Sequence, residues 1–205
     1  MDESCEPDNS FGRRDVLKGS AAVWMAPTII SIAQGPPATG STIRPYIVSS
    51  QNVQVLDPPP PSIVRNVMES DSVSFVFQET TCAPTTQDVV VNRATDGLFL
   101  GNTSENAIIP AGTPVASFIV VVDRATNGVT LGSVTFSDPI AGLIYLKPQF
   151  DATTPLFGLA GTTYPNHNGT YFEGNDGLTL AGETFAWDAF MGGQWADVAR
   201  VLVEC

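Results

Sequence analysis

Three apolar runs follow one another in the middle of the chain: VASFIVVVD at 115–123, VTLGSVTF at 129–136 and IAGLIY at 140–145. β-Branched and aromatic residues dominate these runs, and none of them keeps the spacing of an amphipathic helix. Both alternating faces of the first run are apolar, which predicts a central strand that is covered on each side. Asn127-Gly128 separates the first two runs and predicts a hairpin that pairs them. The whole stretch therefore predicts three consecutive strands of a β core.

Shorter stretches on either side of this core follow the strand pattern more weakly. Val73, Phe75 and Phe77 recur at every second position, which predicts a strand with one buried face. Further short strands are predicted within 46–56, 87–92, 177–180, 183–187 and 196–205. Loops are predicted at 82–84 and 94–107, and a single helical turn or an irregular loop at 148–158.

The composition fits a sandwich with many turns. The 205 residues include 18 Gly and 16 Pro, and only 15% of the residues are charged. Gly and Pro disrupt helix interiors and suit short strands that are joined by turns. The predicted fold is an all-β, antiparallel β-sandwich of jelly-roll type, with a single domain at 53–205.

The chain is strongly acidic, with 21 Asp and Glu against 9 Lys and Arg and a formal net charge of -12. This charge repels phosphate backbones and anionic membrane surfaces, which argues against nucleic acid as a partner. An acidic surface that keeps an exported protein in solution is the simpler interpretation. Cation binding is the alternative.

The N-terminal segment resembles an export signal of the twin-arginine type. Arg13 and Arg14 form the basic pair, Leu17 and Lys18 follow at typical positions, and the apolar run at 19–33 is too short to span a bilayer. We expect residues 1–33 to be a cleaved signal that the twin-arginine translocation machinery recognises, with no stable membrane insertion after cleavage. Residues 34–52 are then a linker with an edge strand, and the mature protein is extracellular, periplasmic or on the cell surface. The alternative is an amphipathic or buried N-terminal helix.

The cysteine count follows from this export prediction. Cleavage after Ala33 would remove Cys5 and leave Cys82 and Cys205 as an even pair. Exported proteins meet an oxidising environment, in which such pairs persist as disulfides. We therefore expect a disulfide between Cys82 and Cys205, and no cysteine spacing predicts a zinc site.

Calcium is the one cofactor that the acidic turns could bind. Glu173 and Asp176, in the sequence EGNDG at 173–177, distantly resemble a calcium-binding loop. Other acidic turn residues that could supply oxygen ligands are Asp123, Asp138, Asp151 and Asp188. Solvated turn carboxylates are the alternative. His167 is the only histidine and is expected in an exposed loop, so no catalytic residue is assigned.

Aromatic residues cluster towards the C-terminal end: Tyr164, Tyr171, Phe172, Trp187 and Trp195. Flat rings that are exposed on a sheet or loop can stack on sugars, so these residues are candidates for binding a glycan. Packing in the core competes with this interpretation and is the favoured one, because aromatic residues in a sandwich mostly fill its interior.

Several motifs together carry a resemblance to a known family. They are Glu69 to Ser72 with Phe75 to Glu79, Gly132 to Phe136 with Pro139, Ile140 and Gly142, Asp151, Leu156 and Gly158, Gly161 to Pro165, and Asp197 to Val201. The chain resembles the bacterial secreted domain of "choice-of-anchor" surface proteins, many of which end in a PEP-CTERM sorting tail. The resemblance covers roughly Val53 to Cys205 and is most specific between Gly132 and Pro165. It implies an exported β-sandwich, and it brings no catalytic residues with it.

Two further expectations follow the resemblance. No apolar tail or basic cluster follows the last predicted strand, so we expect a protein that is released or held by partners instead of anchored at its C-terminus. A bond from Cys205 to Cys82 would also hold the last strand in place.

The function that the sequence favours is that of an exported surface or extracellular module with a structural or binding role. Its predicted partner is an extracellular glycan or another component of the cell surface. The alternative, from a different class, is a carbohydrate-active hydrolase that uses two loop carboxylates.

Overall fold

The computed structural model describes residues 46–166, 171, 172, 174, 176–191 and 196–205. Several sites predicted from the sequence lie outside these residues: the export signal with Arg13, Arg14, Leu17 and Lys18, the linker up to residue 45, His167, Glu173 and Trp195. The described strands are β1 (Ile47–Gln51), β2 (Val53–Val55), β3 (Ser74–Pro84), β4 (Val89–Val91), β5 (Gly97–Leu100), β6 (Ala107–Ile109), β7 (Pro114–Asp123), β8 (Gly128–Phe136), β9 (Ile140–Ile144), β10 (Gly177–Ala181), β11 (Thr184–Met191) and β12 (Ala196–Glu204). One described helix, α1 (Lys147–Phe157), lies between β9 and β10.

These strands form two five-stranded sheets and one two-stranded sheet. Sheet A has the order β1-β8-β11-β10-β5, sheet B has the order β2-β3-β7-β12-β9, and β4 pairs with β6. The pairing of β2 with β3 is parallel, and the other pairings between these strands are antiparallel. The predicted all-β sandwich is therefore confirmed. Strands β7, β8 and β9 alternate between the two sheets, a connectivity that is typical of jelly rolls.

Sheet B is covered on both of its faces. Val120 and Val201 point from one face into the core that sheet B shares with sheet A. Ile119 and Val198 lie on the opposite face and pack beneath helix α1 and the β4-β6 sheet. Strand β7 pairs with β3 on one side and with β12 on the other. The prediction that this apolar strand is central and doubly covered is confirmed.

The predicted hairpin between β7 and β8 is wrong. Both edges of β7 are already paired, so β8 crosses into sheet A and pairs with β1 and β11. The connection is organised by Arg124, whose Nη1 donates to the carbonyl oxygens of Asp71 and Val129, each at 2.9 Å. A Cβ on Gly128 would lie 2.9 Å from the same guanidinium. Gly128 thus makes room for a guanidinium in a connection between sheets, and it does not form a hairpin turn.

Strands β3 and β5 also differ from the sequence prediction. Strand β3 continues through the predicted loop at 82–84, and residues 75–77 are buried on both faces because helix α1 and the β4-β6 sheet cover the second one. The connection predicted at 94–107 contains β5. Its Phe99 stacks on Tyr145 in the core, with 5.4 Å between ring centroids. Four residues of β5 pair with β10 and form an edge of sheet A.

The segment predicted as one helical turn or a loop is an α-helix of 11 residues. Pro148 is tolerated because it lies in the first turn, where a backbone N–H has no partner within the helix. The Asn92 carboxamide oxygen accepts the N–H groups of Tyr145 and Leu146, at 2.8 and 2.9 Å, and so fixes the start of the helix. Burial of the face that carries Phe150 and Phe157 stabilises the helix more than its intrinsic propensity does.

Candidate functional site

Sheet A leaves one apolar face open to solvent. Within the described part of the chain, no helix or strand covers it. Large apolar side chains that it exposes are Leu98 and Leu100 on β5, Val129 and Leu131 on β8, and Phe190 on β11. Smaller residues lie between them at the other outward positions of β10, β11 and β8: Gly177, Thr179, Ala181, Thr184, Ala186, Ser133 and Thr135. We call this surface, together with Asp188, the outer face.

The strand registers bring residues from distant parts of the chain side by side on the outer face. Leu100 pairs with Gly177, Gly177 with Asp188, and Asp188 with Leu131, so these four residues form one row across four strands. Leu98 and Leu131 are strongly exposed, at 77% and 55% of their surface. The exposed leucines therefore lie on β5 and β8, and smaller residues and Asp188 on β10 and β11 separate them.

Asp188 is the one charged residue at the described outward positions of this face. It is exposed, but partial burial by its neighbours raises the pKa of its carboxyl. The cause is desolvation, which disfavours the ionised form. A further loss of water around this face would raise that pKa again.

The opposite side of the molecule contains a buried ion pair between Arg200 of β12 and Glu79 of β3. Arg200 Nε donates to Glu79 Oε2 at 2.6 Å, and Nη2 donates to Oε1 at 2.9 Å, so the pair is bidentate. Both side chains are fully buried. Ser117 of β7 donates its hydroxyl to Glu79 Oε2 at 2.7 Å. A shift in the β3-β7 register between Gln78 and Thr80 places Glu79 in this position.

The guanidinium of Arg200 also holds helix α1 against sheet B. Nη1 donates to the carbonyl oxygen of Phe150 at 3.2 Å and to Thr153 Oγ1 at 2.6 Å, and Nη2 donates to Thr154 Oγ1 at 3.3 Å. The group lies 4.3 Å from the centroid of the Phe150 ring. A guanidinium has five N–H donors, and all five are used. This cluster is closed and satisfied, so its role is to join the helix to the sheet.

Asp123, one of the acidic turn candidates, is buried at the end of β7. Its Oδ2 accepts the N–H of Asn66 at 2.9 Å, and its carbonyl oxygen accepts the N–H of Ser70 at 2.7 Å. Desolvation raises the pKa of this carboxyl, while the N–H groups of Met68 and Asn66 act in the opposite direction. Asp123 therefore anchors the loop before β3.

The remaining acidic candidates lie in different parts of the fold. Asp151 pairs with Lys147 on helix α1, and buried Asp176 accepts the N–H of Phe190 at 2.9 Å. Asp188 lies on the outer face. Among the described residues, no three His, Cys, Asp or Glu side chains are close enough together to hold a metal ion. Calcium binding by Asp176 with Glu173 stays a prediction, because Glu173 lies outside the described residues.

Two of the aromatic candidates for ligand binding are core residues. Tyr171 and Trp187 each expose 3% of their surface, so neither offers a ring face to a glycan in this structure. Trp187 Nε1 donates to Ser74 Oγ at 3.1 Å, and the Trp187 ring covers Gly132, where a Cβ would lie 2.4 Å from it. Their burial agrees with the competing interpretation of core packing.

Tyr164 is half-buried and belongs to the layer that covers sheet B. Its hydroxyl accepts the N–H of Leu159 at 2.8 Å, and its ring centroid lies 5.9 Å from the Arg200 guanidinium. Burial raises the pKa of Tyr164 well above its usual value. Phe172 is also buried, in the core between the two sheets. Trp195, the last member of the group, lies outside the described residues.

The predicted disulfide is present. Cys82 and Cys205 are bonded, with 6.0 Å between their Cα atoms and a sequence separation of 123. Ala83, which follows Cys82, and Glu204, which precedes Cys205, both pair with Val115 at the start of β7. The disulfide therefore joins β3 to the end of β12 across the first residues of the central strand.

The outer face and the Arg200–Glu79 cluster were not predicted from the sequence. A signal for the cluster existed: Arg200 and Glu79 are opposite charges, and each lies within or directly after an apolar strand. A charged residue in such a position needs a partner, because burial of an isolated charge is very costly. The outer face had no comparable signal, since it depends on which strands are neighbours.

Comparisons with known proteins add nothing to the geometry described above. No protein-family model, no curated protein and no solved structure matches this chain. In the described part of the chain, no helix has the combination of length and hydrophobicity that a membrane crossing requires.

Proposed function

We propose that this chain is an exported β-sandwich module with a structural or binding role outside the cytoplasm. The observation that carries the proposal is the Cys82–Cys205 disulfide. Disulfides persist in secreted, periplasmic and cell-surface proteins and are rare in the reducing cytosol. The twin-arginine pattern at Arg13 and Arg14 supports the same location. Membership of the choice-of-anchor type of surface domain is part of this proposal and rests on the sequence motifs alone.

The distribution of polar groups supports a binding or structural role. The buried charges of Arg200 and Glu79 are fully used in joining helix α1 to sheet B. The outer face, in contrast, exposes the apolar side chains of Leu98, Leu100, Val129 and Leu131. Surfaces of this kind serve recognition more often than chemistry. These features favour a structural or binding role for the module.

A glycan remains the proposed ligand class, and the start of helix α1 offers a place for it. An open depression of about 470 Å³ lies there, lined by Asn102, Leu146, Lys147, Pro148, Tyr171, Phe172 and Gly174. Lys147 and Asn102 supply polar groups that could hydrogen-bond to sugar hydroxyls. Tyr171 and Trp187 are buried, so the proposal does not use their rings for stacking on sugars.

Export is tested by mass spectrometry of the protein recovered outside the cytoplasm. The proposal expects an N-terminus near Gln34 and a mass two hydrogens below that of the reduced chain. Replacement of Arg13 and Arg14 by Lys should leave the precursor in the cytoplasm. Free thiols at Cys82 and Cys205 in the recovered protein, or secretion unchanged by the Lys variants, would contradict the corresponding part of the proposal.

Ligand binding is tested by a screen of glycans and isolated cell walls, with and without added calcium. The role proposed here expects saturable binding by at least one of them. If binding requires calcium, Asp176→Asn should abolish it, and Asp138→Asn is the matched control at another turn acid. The hydrolase alternative would be supported by release of reducing sugar ends in the same screen.

A further inference from the structure

We propose that the depression at the start of helix α1 binds a neutral glycan, whose hydroxyl groups are held by Lys147, Asp151 and Asn102. The inference rests on the proposed function, to which it adds the ligand class and the binding residues at the same site. An ion pair, a carboxamide and the local balance of charge each support this ligand class.

Lys147 and Asp151 form an ion pair beside the depression. Lys147 is the only lysine after residue 33, and it lines the depression. Its Nζ lies 2.5 Å from Asp151 Oδ2, and the two side chains keep 26% and 50% of their surface exposed. The hydroxyl of Tyr171, which also lines the depression, lies 3.5 Å from Asp151 Oδ1. An ammonium has three N–H donors and a carboxylate accepts several hydrogen bonds, so the pair can bind further polar groups.

The Asn102 carboxamide supplies a third polar group. Asn102 is exposed and lies in the turn after β5, where the N–H of Thr103 donates to the carbonyl oxygen of Leu100 at 3.0 Å. A Cβ on Gly174 would lie 2.7 Å from Asn102 Nδ2, so Gly174 leaves room for the carboxamide. In the part of the chain that the structure describes, no hydrogen bond holds this group. Its two donors and its acceptor can therefore bind a ligand.

This set of groups suits adjacent hydroxyls on a sugar ring. A hydroxyl both donates and accepts hydrogen bonds, so one hydroxyl can donate to the Asp151 carboxylate while its neighbour accepts from the Lys147 ammonium. Hydrogen bonds to charged groups are the stronger ones. The floor of the depression is held in place from below, because Phe172 packs against Phe185 in the core with 6.3 Å between ring centroids. The ligand therefore meets polar groups that are already in position.

The charges at the depression favour an uncharged ligand. Lys147 and Asp151 neutralise each other, so the pair offers an ion no net charge. A carboxylate or phosphate on the ligand would gain the ammonium but would also meet the Asp151 carboxylate, and the chain repels it with a formal net charge of -12. A cationic ligand would be repelled by the Lys147 ammonium in the same way. A neutral glycan bears neither cost.

The test is calorimetric titration of the exported protein with short oligosaccharides of glucose, mannose, galactose and N-acetylglucosamine. Oligogalacturonate is the acidic counterpart of the galactose probe. At least one neutral probe should bind with a Kd between about 10 μM and about 10 mM, and oligogalacturonate should bind at least about tenfold more weakly. Lys147→Met and Asp151→Asn should each raise the Kd for the neutral probe about 10- to 100-fold, because each removes a hydrogen bond to a charged group.

A variant without a change of charge and a matched control complete the test. Gly174→Ala should also weaken binding of the neutral probe, because its Cβ would displace the Asn102 carboxamide. The control is Asp71→Asn, at a second partly exposed ion pair, which Asp71 forms with Arg124 in another loop. It should leave the Kd unchanged. Circular dichroism of each variant confirms that the fold is intact.

Three results would overturn the inference. The first is a wild-type protein that binds no neutral probe at about 10 mM. The second is tighter binding of oligogalacturonate that Asp151→Asn strengthens further, which would assign the site to an acidic ligand held by Lys147. The third is binding of a neutral probe that Lys147→Met, Asp151→Asn and Gly174→Ala all leave unchanged, which would place the ligand elsewhere. The second and third results leave the proposed glycan-binding role standing, and none of the three bears on export.

Discussion

The strongest test of this fold is the removal of the negative charge from the buried ion pair, by Glu79→Gln. The carboxylate of Glu79 accepts two donors from Arg200 and one from Ser117. The glutamine amide has one acceptor oxygen, and its NH₂ group would face an N–H donor. Arg200 would keep its three bonds to helix α1, but its charge would be buried without a counter-ion.

The expected cost follows from the burial of both groups. Loss of one partner of a buried pair typically costs about 3 to 5 kcal/mol, since it leaves an uncompensated charge in the interior. For a domain of this size each kcal/mol lowers the Tm by about 2 to 4 °C. The variant should therefore melt roughly 6 to 20 °C below the wild-type protein. Arg200→Met should have an effect of similar size, because it leaves Glu79 as the unpaired charge.

A double-mutant cycle separates the pair from its surroundings. Urea unfolding, followed by circular dichroism, gives the free energy of unfolding for wild type, Glu79→Leu, Arg200→Met and the double variant. If the penalty comes from an unpaired charge, the double variant loses far less than the sum of the single variants, with a coupling energy of about 3 kcal/mol or more. Additive losses, or a loss below about 1 kcal/mol for Glu79→Gln, would refute the reasoning, because they would mean that water reaches the pair.

Three further predictions concern the rest of the fold. Cys82→Ser/Cys205→Ser should lower the free energy of unfolding by about 3 to 5 kcal/mol in urea titrations, because the bond closes a long loop, and reduction of the wild-type protein should have the same effect. Gly132→Ala should lower it by about 1 to 3 kcal/mol, since a Cβ there overlaps the Trp187 ring; an unchanged Tm would contradict this. The pKa of Asp123 is raised above its ordinary value of 3.8, so the stability of the wild type relative to Asp123→Asn should fall as pH increases through that raised pKa, and a rise would contradict the assignment.

The sequence predicted the strands of this fold better than it predicted their neighbours. The doubly apolar pattern of β7 required cover on both faces, because each side chain direction of a strand meets a different layer. The same pattern could not show that β3 and β12 would pair with the two edges of β7. Asn127-Gly128 therefore predicted a hairpin, whereas Gly128 lies beside the Arg124 guanidinium in a connection between the sheets. Local signals report the conformation of a connection and not the sheet to which it leads.

Helix α1 and strand β5 show a second limit. Two prolines and two threonines argue against a helix at 147–157, and tertiary contacts reverse that preference by burying Phe150 and Phe157 and by binding the threonine hydroxyls to Arg200. The candidate site had the same difficulty. Its leucines come from β5 and β8, which are not adjacent in sequence or in sheet order. Only the complete strand order places them on one face.

The two sheets differ in how much of their surface is buried. Sheet B is buried on both faces, and the residues that could do chemistry there, Arg200 and Glu79, are each bound to fixed partners. A ligand at that site would have to break the ion pair that holds helix α1, at a cost comparable to the stability of a typical domain. Sheet A contributes one face to the core and leaves the other open. Binding at the outer face would break none of these internal contacts, so sheet A can be probed without loss of the ion pair.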